Sequence, residues 1–109
     1  GLVLFRTACR ARRNADGMLL DAFDAASFIA QRCDWWDVSQ IMAHPALARL
    51  AVGEAEQHID AAVEAIPRPR WRRNAYRRAL APLLDERAEL RRCATTLADV
   101  QDTGILDAF

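Results

Sequence analysis

The residues of this 109-residue chain best suited to chemistry are its arginines. All fifteen basic residues are Arg and none is Lys. That excludes a lysine Schiff base, a phosphate-loop lysine and a lysine general base. Six of the arginines fall in the eleven residues Arg68-Pro69-Arg70-Trp71-Arg72-Arg73-Asn74-Ala75-Tyr76-Arg77-Arg78, which hold no acid. At helical spacing Arg70, Arg73 and Arg77 share a face, Arg72 and Arg78 flank it, and Trp71 and Tyr76 lie toward the other side. Guanidinium forks hold carboxylates and phosphates bidentately, and neighbouring aromatics stack on bases. Two ligands therefore fit: an acidic protein surface and a nucleic-acid backbone. Fifteen acidic residues bring the net charge to zero, whereas a dedicated nucleic-acid domain is strongly basic. The stretch from Asp16 to Asp37 carries five Asp against one Arg, so it can serve the arginines as a counterpart inside the fold or across a dimer. A protein partner or self-association is the preferred reading, and nucleic-acid binding through Arg68–Arg78 is the alternative.

Asp34-Trp35-Trp36-Asp37 supplies a second candidate contact. Adjacent helical residues diverge by about 100°, so Trp35 and Trp36 cannot both point inward. One is expected in the core, the other exposed as a partner anchor. The expected partner-binding set is thus Arg70, Trp71, Arg72, Arg73, Arg77 and Arg78 with Trp35 and Trp36. Arg6, Arg10, Arg12 and Arg13 follow Leu2-Val3-Leu4-Phe5, a pattern that can lie on an anionic membrane. The apolar length is small and no second anchor is visible, so a docking helix is the better reading. Ile105, Leu106 and Phe109 form a short apolar tail that offers a further contact.

Signals for catalysis or metal are weak. His58 falls on the apolar side of a helical pattern and reads as a core histidine bonded to a carbonyl or carboxylate. Glu54 precedes it by four residues, where the Glu-x-x-His carboxylate-metal motif needs three. His44 stands before Pro45 near a helix start. Asp34 with Asp37, or Glu54 with His58, are acid–base spacings common on helices and mean nothing without a convergent pocket. Cys9, Cys33 and Cys93 lie 24 and 60 residues apart without a C-x-x-C. They read as buried apolar thiols of a reducing, cytoplasmic protein. Gly1, Gly17, Gly53 and Gly104 are too scattered for a phosphate cradle. Ser27 and Ser39 lie outside any G-x-S-x-G elbow. No catalytic residue, metal, cofactor or small-molecule substrate is expected, and the chain reads as a non-enzyme.

The elements that must position these residues are helical. Twenty-two alanines and twelve leucines favour helix, and no segment alternates apolar with polar residues as a strand would. Periodicity predicts a helix from Leu2 to about Asn14, a turn at Asp16-Gly17, and a helix from Met18 to Cys33 with Leu19, Phe23, Ala26, Ala30 and Cys33 inward. Asp37 with Gln40 has the spacing of a capping box ahead of a short turn over Val38–Ala43. Pro45 suits the first position of a helix running to Ile66, stopped by Pro67-Arg68-Pro69. Its expected apolar face includes Leu47, Leu50, Ala51, Ala55, His58, Ile59, Ala62 and Val63. A short helix to about Ala79 should then kink or restart at Pro82, because a helix-interior proline costs roughly 3 kcal/mol. The last helix carries Leu83, Leu84, Leu90, Cys93, Ala94, Leu97 and Val100, with Gly104 as its cap.

At 52% hydrophobic and 28% charged residues the chain is no disordered tail. No apolar run approaches the ~18–20 residues of a membrane span, and Leu2–Phe5 is too short for a signal segment. The expectation is one all-α domain over residues 1–109: a compact bundle of four to six helices, mostly antiparallel neighbours, without a sheet. The Pro45–Ile66 and C-terminal helices should be its central pair. A first residue other than Met also suits a piece of a longer protein. The expected function is a non-enzymatic interaction module, an adaptor, subunit or regulatory domain, with a membrane role disfavoured.

Overall fold

A computed structural model describes the backbone of residues 2–68 and 73–108, and the side chains of residues 15–68 and 73–107. The chain is all helical. Four α-helices, α1 (Leu2–Ala30), α2 (Val38–Ala43), α3 (Pro45–Glu64) and α4 (Arg73–Asp102), are followed by a 3-10 turn over Ile105–Ala108. No strand occurs among the described residues. No helix among them is long and apolar enough to cross a membrane.

Two expected breaks are absent. The turn at Asp16-Gly17 does not form, and α1 runs straight through it. A lone glycine in a helix costs only about 1 kcal/mol. The alanine-rich flanks on both sides supply the helical hydrogen bonds that outweigh it. Nor does α4 restart at Pro82, which lies inside a 30-residue helix. Proline there removes the bond to the carbonyl of Arg78. Arg78, Ala79 and Pro82 are all exposed, so water can take that carbonyl.

Other local signals act as read. The Asp37 carboxylate accepts the Gln40 backbone N–H at 2.8 Å, and the Gln40 side-chain carbonyl accepts the Asp37 N–H at 3.2 Å. This reciprocal cap starts α2. Pro45 opens α3 where its missing N–H has no helical partner to lose. Gly104 ends α4 at φ 77°, a conformation that side-chain-bearing residues avoid.

The core is built from Ala22, Ala25, Ala26 and Ile29 of α1, Ile41 of α2, Ala48, Ala51, Ala55 and Ile59 of α3, and Leu90, Cys93, Leu97 and Val100 of α4, closed by Leu106. Six of these are alanines, which let helix backbones approach closely. The buried stripes are turned relative to the expected ones. Phe23, Leu50, His58 and Ala62 are exposed. Alanine contrasts weakly with its neighbours in hydrophobicity, so the larger residues pulled the expected face toward themselves.

The most extensive packing joins α1 to α4, with α3 on α4 second; the expected α3–α4 centre is therefore displaced. Arg32 at the end of α1 meets Glu86, while Asp21 and Asp24 share a cleft with Arg92 and Thr96. On α3, Asp60 meets Arg87, while Pro45 and Ala48 line a pocket with Leu97 and Gln101. Contacts thus run in opposite order along α4, and its first turns, from Arg73, lie beyond the ends of α1 and α3. The molecule measures 71 × 29 × 16 Å with a radius of gyration of 18.4 Å. A compact globule of this length has about 13 Å, so the bundle is elongated.

Candidate interaction surface

At one end of the bundle α1 gives way to the loop that carries Trp35 and Trp36. Arg32 pins the end of α1 there. Its Nε donates to the Glu86 carboxylate at 2.5 Å and its Nη1 to the Phe28 carbonyl at 2.8 Å. Its guanidinium also lies 3.4 Å from the centroid of the Phe28 ring. The chain then leaves the helix, and the two tryptophans of the loop separate. Trp36 packs partly buried against the core, and Trp35 is 81% exposed.

Beyond this end, Arg73, Arg77 and Arg78 are exposed on the first turns of α4. Arg68 reaches over the Tyr76 ring at 5.7 Å, near the limit of a cation–π contact. Arg70, Trp71 and Arg72, expected in the same surface, lie outside the described residues. Among the described residues, ion pairs join Arg32 to Glu86, Arg87 to Asp60 and Arg92 to Glu89. None involves Arg73, Arg77 or Arg78, or Asp16, Asp21 or Asp24. Helical rise explains the separation. Asp21 and Asp24 sit level with Arg92, and Arg77 precedes Arg92 by about 22 Å of helix at 1.5 Å per residue. Among the described residues, Asp21 and Asp24 are thus too far along the bundle to pair with Arg73, Arg77 or Arg78.

Beside Trp35 the structure brings together three groups that sequence spacing did not join. The Glu54 carboxylate accepts the Asp34 backbone N–H at 3.2 Å. His58 Nε2 lies 3.7 Å from Glu54 Oε1 and 3.6 Å from Asp34 Oδ2, and the three ligand-type atoms fall within 4.8 Å of one another. His58 is half exposed and not the core histidine expected. The buried row of α3 is Ala48, Ala51, Ala55 and Ile59, and residue 58 is turned about 100° from residue 59. Two carboxylates and an imidazole make a three-donor set, one short of a closed structural zinc site. Glu54 already accepts a backbone N–H, and the Asp34 side chain is largely in water. The cluster is a partly exposed group of two carboxylates and an imidazole beside the Trp35 loop. The helical pair Glu54/His58 was visible at its i,i+4 spacing, but Asp34 joins from the loop, whose path depends on where α1 ends.

Neither described cysteine is activated. The Cys33 thiol donates to the Ala51 carbonyl at 3.0 Å. Burial, reinforced by the negative charges of Glu54 and Asp34, pushes it up to about 11. Burial and the Glu89 carboxylate raise Cys93 as well. Both stay neutral thiols near pH 7, and thiols rather than thiolates are poor nucleophiles and metal ligands. Between α1 and α4 an open cleft of about 410 Å³ is walled by Asp21, Asp24, Glu89 and Arg92, with Phe28 and Ala25 also lining it. Its charged lining is three acids to one base.

No protein-family model matches the chain, and no curated protein and no solved structure matches it.

Proposed function

We propose that this chain is a non-enzymatic interaction module that binds an acidic protein surface through the exposed arginines on the first turns of α4, with the exposed Trp35 as a second contact. The observation that carries the reading is the exposure of Arg73, Arg77 and Arg78 without an ion-pair partner among the described residues. Arginine forks at such a site bind carboxylates bidentately and steer encounter with an acidic partner. Trp35 supplies the apolar anchor that a purely electrostatic contact lacks. In this reading α1 and α3 are antiparallel neighbours of α4, and the module works with free thiols in a reducing cytoplasm. No catalytic residue, metal or cofactor is assigned.

Nucleic acid is the second reading, favoured by the same overhanging arginines. The zero net charge of the chain weighs against it, because a dedicated nucleic-acid domain is strongly basic. The test is fluorescence anisotropy of a labelled Asp/Glu-rich amphipathic peptide against the full chain. The peptide should bind at about 50 mM salt and weaken by 200 mM, as screening of exposed charges requires. Replacing Arg73, Arg77 and Arg78 together by Ala should abolish binding, and Trp35→Ala should weaken it roughly tenfold, as loss of a ~1.4 kcal/mol anchor would. Peptide affinity that ignores all four changes overturns the reading.

A further inference from the structure

We propose that the acidic partner is a second copy of this chain, the arginine-rich start of α4 in each copy docking on the acidic outer side of α1 in the other. The inference rests on the interaction reading above and names its partner.

The outer side of α1 has the composition of a covered surface. Ala22, Ala25, Ala26 and Ile29 face the core. On a 3.6-residue period, Leu20 and Phe23 lie on the far side of the helix, one turn apart. They are 60% and 51% exposed. Asp16 and Asp24 frame them, and Asp24 continues with Asp21 and Glu89 into the open cleft between α1 and α4. The result is an apolar pair inside an acidic rim, next to a cleft able to accept guanidinium groups.

The start of α4 has the complementary pattern. Arg73, Arg77, Leu80 and Leu84 fall on one helical row. The two arginines are exposed and so is Leu84. Basic groups followed by leucines can face acidic groups around Leu20 and Phe23. Within one chain the two surfaces are held apart along the long axis. A two-fold axis across the bundle brings the start of α4 in each copy to the outer α1 surface of the other, so both contacts form at once and close the assembly. The zero net charge of the chain removes the overall repulsion that would oppose such pairing.

Sedimentation velocity of the full chain tests this between about 1 and 200 μM protein, at about 50 and 300 mM salt. A dimer at low salt that weakens at least about tenfold at high salt is expected, because exposed charges are screened. Two charge-reversed variants sharpen the test. One carries Arg73→Glu, Arg77→Glu and Arg78→Glu; the other carries Asp16→Arg, Asp21→Arg and Asp24→Arg. Each alone should be monomeric, since each then presents only one sign of charge at both surfaces. An equimolar mixture should recover a dimer, because every reversed surface then meets its opposite. Phe23→Ser, at a half-exposed position outside the core, should independently weaken the wild-type dimer. A wild-type chain that stays monomeric at low salt overturns the proposal, as does a dimer indifferent to the reversals or a mixture that does not associate. A monomer that still binds the acidic peptide through Arg73, Arg77 and Arg78 ends only self-pairing, whereas one that binds no acidic peptide ends the interaction reading with it.

Discussion

Cys33 and Cys93 are held as neutral thiols by burial and by nearby carboxylates, and this has a kinetic and a thermodynamic consequence. With Cys33 near 11 against an ordinary 9.0, its thiolate fraction at pH 8 is lower by roughly a hundredfold than in the unfolded chain, a factor of ten per unit. Alkylation followed by peptide mass mapping should find Cys33 slower by roughly tenfold in the folded chain, since the more basic thiolate is the stronger nucleophile and offsets part of its scarcity. Rates equal to those in guanidinium would contradict the described packing. Below pH 9 both states hold the proton and stability is intact. Between 9 and 11 the unfolded chain loses the proton while the folded chain retains it, so stability falls as pH rises through this window. At this scale the sequence was partly legible. One tryptophan is packed and one exposed as expected, but both lie in a loop and not in the helical turn from which that expectation was argued. The union of Asp34 with Glu54 and His58 did not follow, because it depends on the tertiary position of a loop.

The continuity of α1 and α4 is decided by how little each apparent breaker costs. Gly17 has nothing within 4 Å of where a Cβ would stand, so Gly17→Ala should raise stability by about 0.5–1 kcal/mol. Gly104 sits at φ 77°, and Gly104→Ala should lower stability by about 1 kcal/mol. Urea midpoints of the two variants, shifting in opposite directions, test the assignment. A destabilising Gly17→Ala would restore the turn that Asp16-Gly17 suggests. The capping residues Asp37, Gln40, Pro45 and Gly104 were legible because each meets a backbone need within one or two turns. The persistence of helix through Gly17 and Pro82 was not. It depends on flanking helical bonds, packing and solvent access to a freed carbonyl, none of which a breaker rule weighs.

Those two uninterrupted helices give the molecule its shape. A 29-residue α1 and a 30-residue α4 each span about 45 Å, and their offset produces a long axis of 71 Å. The segregation of charge was visible in the sequence as an Asp-rich stretch and an Arg-rich one. That Asp21 and Asp24 lie far along the bundle from Arg73, Arg77 and Arg78 became apparent only from the helix lengths. On the proposed function, the exposed Arg73, Arg77 and Arg78 are the groups that bind. The most direct measurement is a competition at about 50 mM salt, in which the full chain bound to a labelled acidic peptide is challenged with a generic DNA duplex. The peptide is expected to stay bound and the duplex not to associate. Displacement of the peptide by duplex, with duplex affinity falling steeply as salt rises to about 200 mM, would contradict it and assign Arg73, Arg77 and Arg78 to phosphate.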